Sequence, residues 1–285
     1  MLKYRLILGP IMIALLLGVL WLDEWAEQAG HARAGLVILL VLVLPGIWFA
    51  SKELAILLRA KGVATGSRVL FLSGAVGCAG VYAALQDDLV LAGPTAMLVV
   101  SLGIGVLLLG LLVQCKGQNT EGTMVAGAAA AFTFVYLGLM PGTLLAIRAL
   151  PVEHAVWVLA AALLTTKSCD IGAYFTGRAI GKHKLIPWLS PGKTWEGLVG
   201  GVIVASLVSL ATLMPLANLH WGYALAVGAI LAVVGQGGDL LASMFKRDAA
   251  VKDSGSSIPG FGGVLDVIDS PLLAGPVAYW LLALA

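Results

Sequence analysis

Nine stretches of this sequence run for about the 20 mostly apolar residues that a helix needs to cross a bilayer. They fall at 5–22, 34–51, 69–85, 89–113, 123–140, 155–173, 196–214, 221–243 and 269–285. In 285 residues, so many spans leave little chain for anything else. The composition agrees, with 60% hydrophobic and only 11% charged residues, against about 25% charged in a soluble domain. The pattern predicts an all-α, polytopic integral membrane protein of about nine transmembrane helices. A net charge of +2 without a basic tract argues against a nucleic-acid partner.

Basic residues set the orientation. With the N-terminus cytoplasmic, 14 of the 17 lysines and arginines fall in inner segments, and only Arg33 and Arg148 fall outside. Lys167 lies within a helix. The first apolar run, from Leu6 to Leu22 behind Lys3 and Arg5, is too long for the core of a signal peptide, so a retained first helix is expected. The outer loops are expected to carry Asp23, Glu24, Glu27, Asp87 and Asp88. Cys78, Cys115 and Cys169 are isolated and suggest neither disulfide nor zinc site.

The chain divides near residue 150. Residues 1–150 are apolar helices with short loops, whereas 151–285 carry ionisable residues within or beside the spans and read as the catalytic region. A charge inside a membrane helix costs about 2.5–3.5 kcal/mol on insertion scales and points to function by default. Lys167, Asp170, Tyr174 and Arg178 share one helical face running into the inner loop 174–195. Neutralisation of Lys167 by Asp170, merely fixing helix packing, is the alternative.

Ser190-Pro191-Gly192-Lys193-Thr194-Trp195-Glu196-Gly197 tempts a phosphate-loop reading. The pattern GxxxxGK[ST] fails, because Pro187 stands at its first glycine. A loop entering a helix still offers free N–H groups, and Lys193 offers a cation for phosphate. Glu196 suits a helix N-terminus on dipole grounds, and Gly197 with Gly201 suits close helix packing.

The densest pattern lies further on. Asp239, Ser243 and Lys246 occupy one face at a helix end, followed by Arg247, Lys252 and Asp253, a glycine-rich turn at Pro259–Gly263, and Asp266 and Asp269. Carboxylates among cations suit phosphoryl chemistry, in which Mg²⁺ takes carboxylate and phosphate oxygens and lysines neutralise the remaining charge.

Gly238-Asp239-Leu240, Ser243 to Arg247, Lys252 to Gly255 and Ile258 to Ser270 together resemble the signature of the phosphatidate cytidylyltransferase, or CDP-diacylglycerol synthase, family. Asp170 to Tyr174, Gly177-Arg178, Gly181 to Leu185 and Ser190 to Gly197 resemble its upstream motifs. The likeness covers about residues 167–270. It implies a multi-pass enzyme of the inner (cytoplasmic) membrane that joins CTP and phosphatidic acid into CDP-diacylglycerol and pyrophosphate, with Mg²⁺ as cofactor.

Carried onto this sequence, the resemblance makes Asp239 and Asp266 metal ligands and Asp253 and Asp269 further metal-side carboxylates. Lys193, Lys246 and Lys252 contact phosphate, and Asp170, Ser190, Ser243 and Arg247 shape the substrate site. Three positions depart from the family pattern: Phe261 replaces histidine, Val267 arginine and Gly192 a common lysine. A site with fewer cations is expected to lean harder on Mg²⁺. A CTP-dependent lipid kinase and a cytidylyltransferase for another lipid phosphate remain alternatives. A membrane transporter is disfavoured, because the charges gather at inner helix ends and there is no internal repeat. A homodimer is left open, with no segment identifying an interface.

Overall fold

The structure, a computed structural model, describes residues 2–63, 65–86, 101–108, 110–111 and 122–285. Among these, eight helices are long and apolar enough to cross a membrane. We label them α1 (Leu2–Gln28), α2 (Leu36–Ala60), α3 (Ser67–Gln86), α4 (Thr123–Arg148), α5 (Ala155–Ile180), α6 (Trp195–Leu216), α7 (Trp221–Asp248) and α8 (Val264–Ala283). The expected span 89–113 lies largely outside the described residues, of which 101–108 and 110–111 are helical. Asp87, Asp88 and Cys115 also lie outside them. The protein is a multi-pass, helical membrane protein.

The helices outrun the apolar windows that announced them. Helix α5 continues ten residues beyond Asp170, about 15 Å at 1.5 Å per residue, and α7 continues to Asp248. Asp170 and Asp239 therefore stand inside long helices rather than near their ends, which corrects the expected boundaries, and Lys167 lies within a helix as expected. Asp266 and Asp269 both belong to α8. The region 174–195 is not all loop either. Between α5 and α6 lies a small antiparallel hairpin, β1 (Lys184–Ile186) with β2 (Ser190–Thr194).

The chain forms two compact units. The first holds Met1–Ala146 and Asp248–Val267; the second holds Ile147–Arg247 and Ile268–Ala285. The segment carrying Lys252, Asp253 and Asp266 belongs to the first unit.

Within the first unit, α2 and α4 each contain a π-helical stretch, Leu39–Val43 and Phe134–Leu139. Each lies just before a proline, Pro45 and Pro141. A proline lacks the N–H its i−4 carbonyl needs and crowds that carbonyl, so the helix widens locally. The second widened stretch meets α3 through glycine: a Cβ on Gly138 would lie 2.8 Å from the Gly74 carbonyl oxygen, and one on Gly77 2.8 Å from that of Phe134. Small residues at such crossings replace the hydrophobic drive that lipid cannot supply. Asp23, expected in an outer loop, is buried within α1 and accepts hydrogen bonds from the backbone N–H groups of Gly35, Val37 and Ile38. It caps the orphan donors at the start of α2.

Within the second unit, α5 and α6 cross closely over Gly172 and Gly201. A Cβ on the first would meet Val204 Cβ at 2.8 Å, and one on the second the Cys169 carbonyl oxygen at 2.7 Å. Gly228 similarly admits the backbone of α6 at Ser206.

Candidate functional site

In the second unit, the hairpin and three helices place five charged side chains together. Helix α5 carries Lys167 and Asp170, β2 carries Lys193, α7 carries Asp239, and α8 carries Asp269. Lys193 Nζ stands 2.6 Å from Asp239 Oδ2, with both side chains largely withdrawn from solvent. Lys167 Nζ is shared: it lies 3.7 Å from both Asp170 Oδ2 and Asp269 Oδ1 and donates to Ser270 Oγ at 3.1 Å. Gln236 Nε2 donates to Asp170 Oδ1 at 2.7 Å. Asp239 lies within electrostatic reach of Asp170 and Asp269. Lys167 is thus no private partner of Asp170, and the local-neutralisation reading is too narrow.

Backbone approach builds this cluster. A Cβ on Gly238 would lie 2.5 Å from the Asp269 carbonyl oxygen and 3.1 Å from Ser270 Cα. Only glycine lets α7 touch α8 there, and Asp239 is the next residue along. Gly235, one turn earlier, does the same against Thr166 of α5.

Lys193 is aimed by the hairpin. Thr194 is extended (φ −129°, ψ 156°) and its Oγ1 accepts from the Gly197 N–H at 3.1 Å, capping α6. Glu196 reaches back: Oε1 lies 2.6 Å from His183 Nδ1, and the carboxylate accepts from the His183 N–H. The Trp195 N–H closes the hairpin base by donating to the His183 carbonyl. Glu196 therefore ties the hairpin to α6 as well as sitting at a helix N-terminus. Ser190 begins β2 opposite Ile186.

At the end of α7, Ser243 and Lys246 are half-buried and Arg247 is exposed, with Nε 3.5 Å from the Leu189 carbonyl oxygen.

The first unit holds the other motif residues. Asp266 Oδ2 accepts from the backbone N–H groups of Ser254 and Gly263, at 3.1 and 2.9 Å, and lies 3.0 Å from Ser254 Oγ. Lys252 and Asp253 are exposed. Phe261 packs near α1, its Cζ 3.8 Å from where a Cβ on Gly9 would stand.

The same unit contains a residue that sequence reasoning missed. Glu53 of α2 is buried, and its carboxylate receives Ser254 Oγ, Ser257 Oγ and the N–H groups of Val264 and Leu265. It stands beside Lys52 as a lone acid with no motif around it. No local pattern could announce partners some 200 residues away.

Among the described residues, no three His, Cys, Asp or Glu side chains stand close enough to hold a metal ion by themselves. Mg²⁺ asks less of a protein: it keeps several waters and binds through one or two carboxylates plus substrate phosphates. The all-oxygen donors Asp239 and Asp269 fit that requirement, and Asp170 stands near them.

Comparison with known proteins places the chain among its relatives. The family model described as Cytidylyltransferase family matches residues 3–285. The uncharacterized protein YnbB of Escherichia coli is 37% identical over 190 residues, covering 61% of this chain and 60% of that protein. Phosphatidate cytidylyltransferase of Bacillus subtilis is 40% identical over 151 residues, 53% of this chain and 56% of that protein. The enzyme of the same name from Haemophilus influenzae is 44% identical over 131 residues, covering 43% and 44%. The aligned stretches thus span between 44% and 60% of these relatives' own lengths. The chain belongs to the cytidylyltransferase family.

Proposed function

We propose that this member of the cytidylyltransferase family is a phosphatidate cytidylyltransferase, transferring the cytidylyl group of CTP to phosphatidic acid. One observation carries the reading: Lys193 and Asp239 are paired at 2.6 Å among Lys167, Asp170 and Asp269, all on motif segments of one unit. Structural ion pairs alone do not call for so many charges in membrane helices, each of which is costly there.

The lipid phosphate is already anionic near neutral pH, so its oxygen attacks the α-phosphorus of CTP without a dedicated base. A P–O bond forms between lipid phosphate and cytidylyl group, the α–β bridging P–O bond breaks, and its electron pair leaves with pyrophosphate. Catalysis is then positioning and charge neutralisation. Lys193, on its flexible stem, turns from Asp239 to a nucleotide phosphate, which frees the Asp239 carboxylate. Lys167 holds Asp170 and Asp269 in place, and Lys246, Arg247, Ser243 and Ser190 provide further polar contacts to the substrates. Asp239 and Asp269 would hold Mg²⁺, whose chemistry there would be charge neutralisation at the departing pyrophosphate. For Asp266, Asp253 and Lys252 the family pattern alone proposes metal and phosphate roles.

The substrates and the asymmetry of basic residues support a location in the inner (cytoplasmic) membrane with chemistry on the cytoplasmic side. The test is to incubate the purified protein in detergent with CTP, phosphatidic acid and Mg²⁺ and to analyse the products. CDP-diacylglycerol with pyrophosphate supports the reading. Release of CDP with a newly phosphorylated lipid would make the protein a kinase.

A further inference from the structure

We infer that Glu53, in the first half of the chain, is a positioning residue for the motif segment Ser254–Asp266. This rests on the cytidylyltransferase reading for its consequence in turnover, and on geometry alone for the clamp itself.

A buried carboxylate must be paired or fully hydrogen-bonded. Glu53 is only 2% exposed, and its partners among the described residues are all neutral donors. Oε1 accepts from Ser257 Oγ at 2.6 Å and the Val264 N–H at 2.9 Å. Oε2 accepts from the Leu265 N–H at 2.9 Å and lies 3.1 Å from Ser254 Oγ. Two oxygens with about four acceptor sites are thereby committed to one distant segment. Two of the donors are orphan N–H groups of the first turn of α8, where a negative charge is favoured.

Two of the four glycines of the segment make room for this carboxylate, and the other two serve the turn. Gly260 and Gly262 have φ of 86° and 96°, a left-handed conformation that suits glycine. Gly255 and Gly263 do not share that conformation. Space is their reason: a Cβ on Gly255 would lie 3.0 Å from Glu53 Cγ and Oε1, and one on Gly263 would collide with Ser254 Oγ and Glu53 Oε2. Two glycines of the C-terminal motif are thus shaped to admit a side chain from α2.

The clamp passes to Asp266 through Ser254. Ser254 Oγ lies 3.1 Å from Glu53 Oε2 and 3.0 Å from Asp266 Oδ2 and gives its single proton to one of them at a time, while the Ser254 N–H donates to the same Asp266 oxygen. Glu53 thereby fixes the backbone that carries Lys252 and Asp253 before Ser254, and the carboxylate of Asp266 beyond it. It acts through these groups and not on substrate.

The experiment compares full-length wild type, Glu53→Gln, Glu53→Asp and Gly263→Ala in detergent, by steady-state kinetics and by hydrogen exchange of backbone amides. Glu53→Gln keeps the size but turns an acceptor oxygen into a donor facing donors. It should lower kcat by about a hundredfold, as small misplacements of reacting groups do. KM for CTP should change by less than about threefold, since the clamp is not a substrate contact. Amides of 254–265 should exchange faster, and those of α5 and α6 should not. Glu53→Asp should recover part of both effects, and Gly263→Ala should reproduce the loss. Wild-type kcat or unaltered exchange at 254–265 in Glu53→Gln overturns the inference, as does faster exchange throughout the protein. If wild type itself makes no CDP-diacylglycerol, the functional reading fails, and the exchange data alone decide the clamp.

Discussion

Lys61 Nζ stands 2.9 Å from Asp248 Oδ1, so the turn after α2 and the end of α7 meet within one unit. The contact agrees with the distribution of basic residues, which puts the segments around 60 and 250 on one side of the membrane. Single cysteines introduced near residues 60, 185 and 250 should all react with an impermeant thiol reagent from the cytoplasmic side. Labelling at 185 from the outer face would refute both the topology and the site.

Asp239→Asn should reduce turnover by at least about a hundredfold, because it removes a carboxylate charge at the centre of the cluster while keeping its shape. The protein should still elute as a single species in detergent. Near-normal turnover at saturating Mg²⁺ would exclude Asp239 as a metal ligand.

Gly238→Ala tests the packing that sets Asp239 in place. The added methyl would stand 2.5 Å from the Asp269 carbonyl oxygen, and overpacking of this kind typically costs about 1–3 kcal/mol. The expected outcome is a lower melting temperature together with lost activity. Unchanged values of both would mean that α7 and α8 do not approach so closely.

Chelation should stop turnover, and added Mg²⁺ should restore it. The paired change Phe261→His with Val267→Arg restores two family cations and should lower the Mg²⁺ concentration needed for half-maximal rate. Positions 261 and 267 are half-buried; a cation near water contributes about 1 kcal/mol or less and a desolvated one more, so the shift is modest but measurable. An unchanged Mg²⁺ dependence in the folded double variant would make Phe261 a packing residue against α1.

The sequence exposes the spans and the motif spacing because both are local patterns. It brings Lys193 and Asp239 into one hypothesis, and the structure brings them into contact. Helix ends are read less well: hydropathy marks where apolar residues stop, whereas α5 continues through Arg178 and α7 through Lys246 and Arg247, because a helix needs backbone hydrogen bonds and not apolar side chains. The hairpin escapes detection because Ser190-Pro191-Gly192-Lys193-Thr194 has no apolar alternation and contains a proline and a glycine. Glu53 and Asp23 escape for a different reason. Each is a single acid whose meaning lies in N–H groups that only the folded chain brings near, those of α8 for Glu53 and of the start of α2 for Asp23.

The central claim, transfer of a cytidylyl group to a lipid phosphate, is tested most directly by where a label travels. Purified protein with phosphatidic acid and Mg²⁺ is given CTP labelled either at the α- or at the γ-phosphate, and the lipids are extracted. With cytidylyl transfer, the α-label enters the lipid fraction and the γ-label leaves as pyrophosphate. Transfer of the γ-label to lipid, or of neither label, would contradict it.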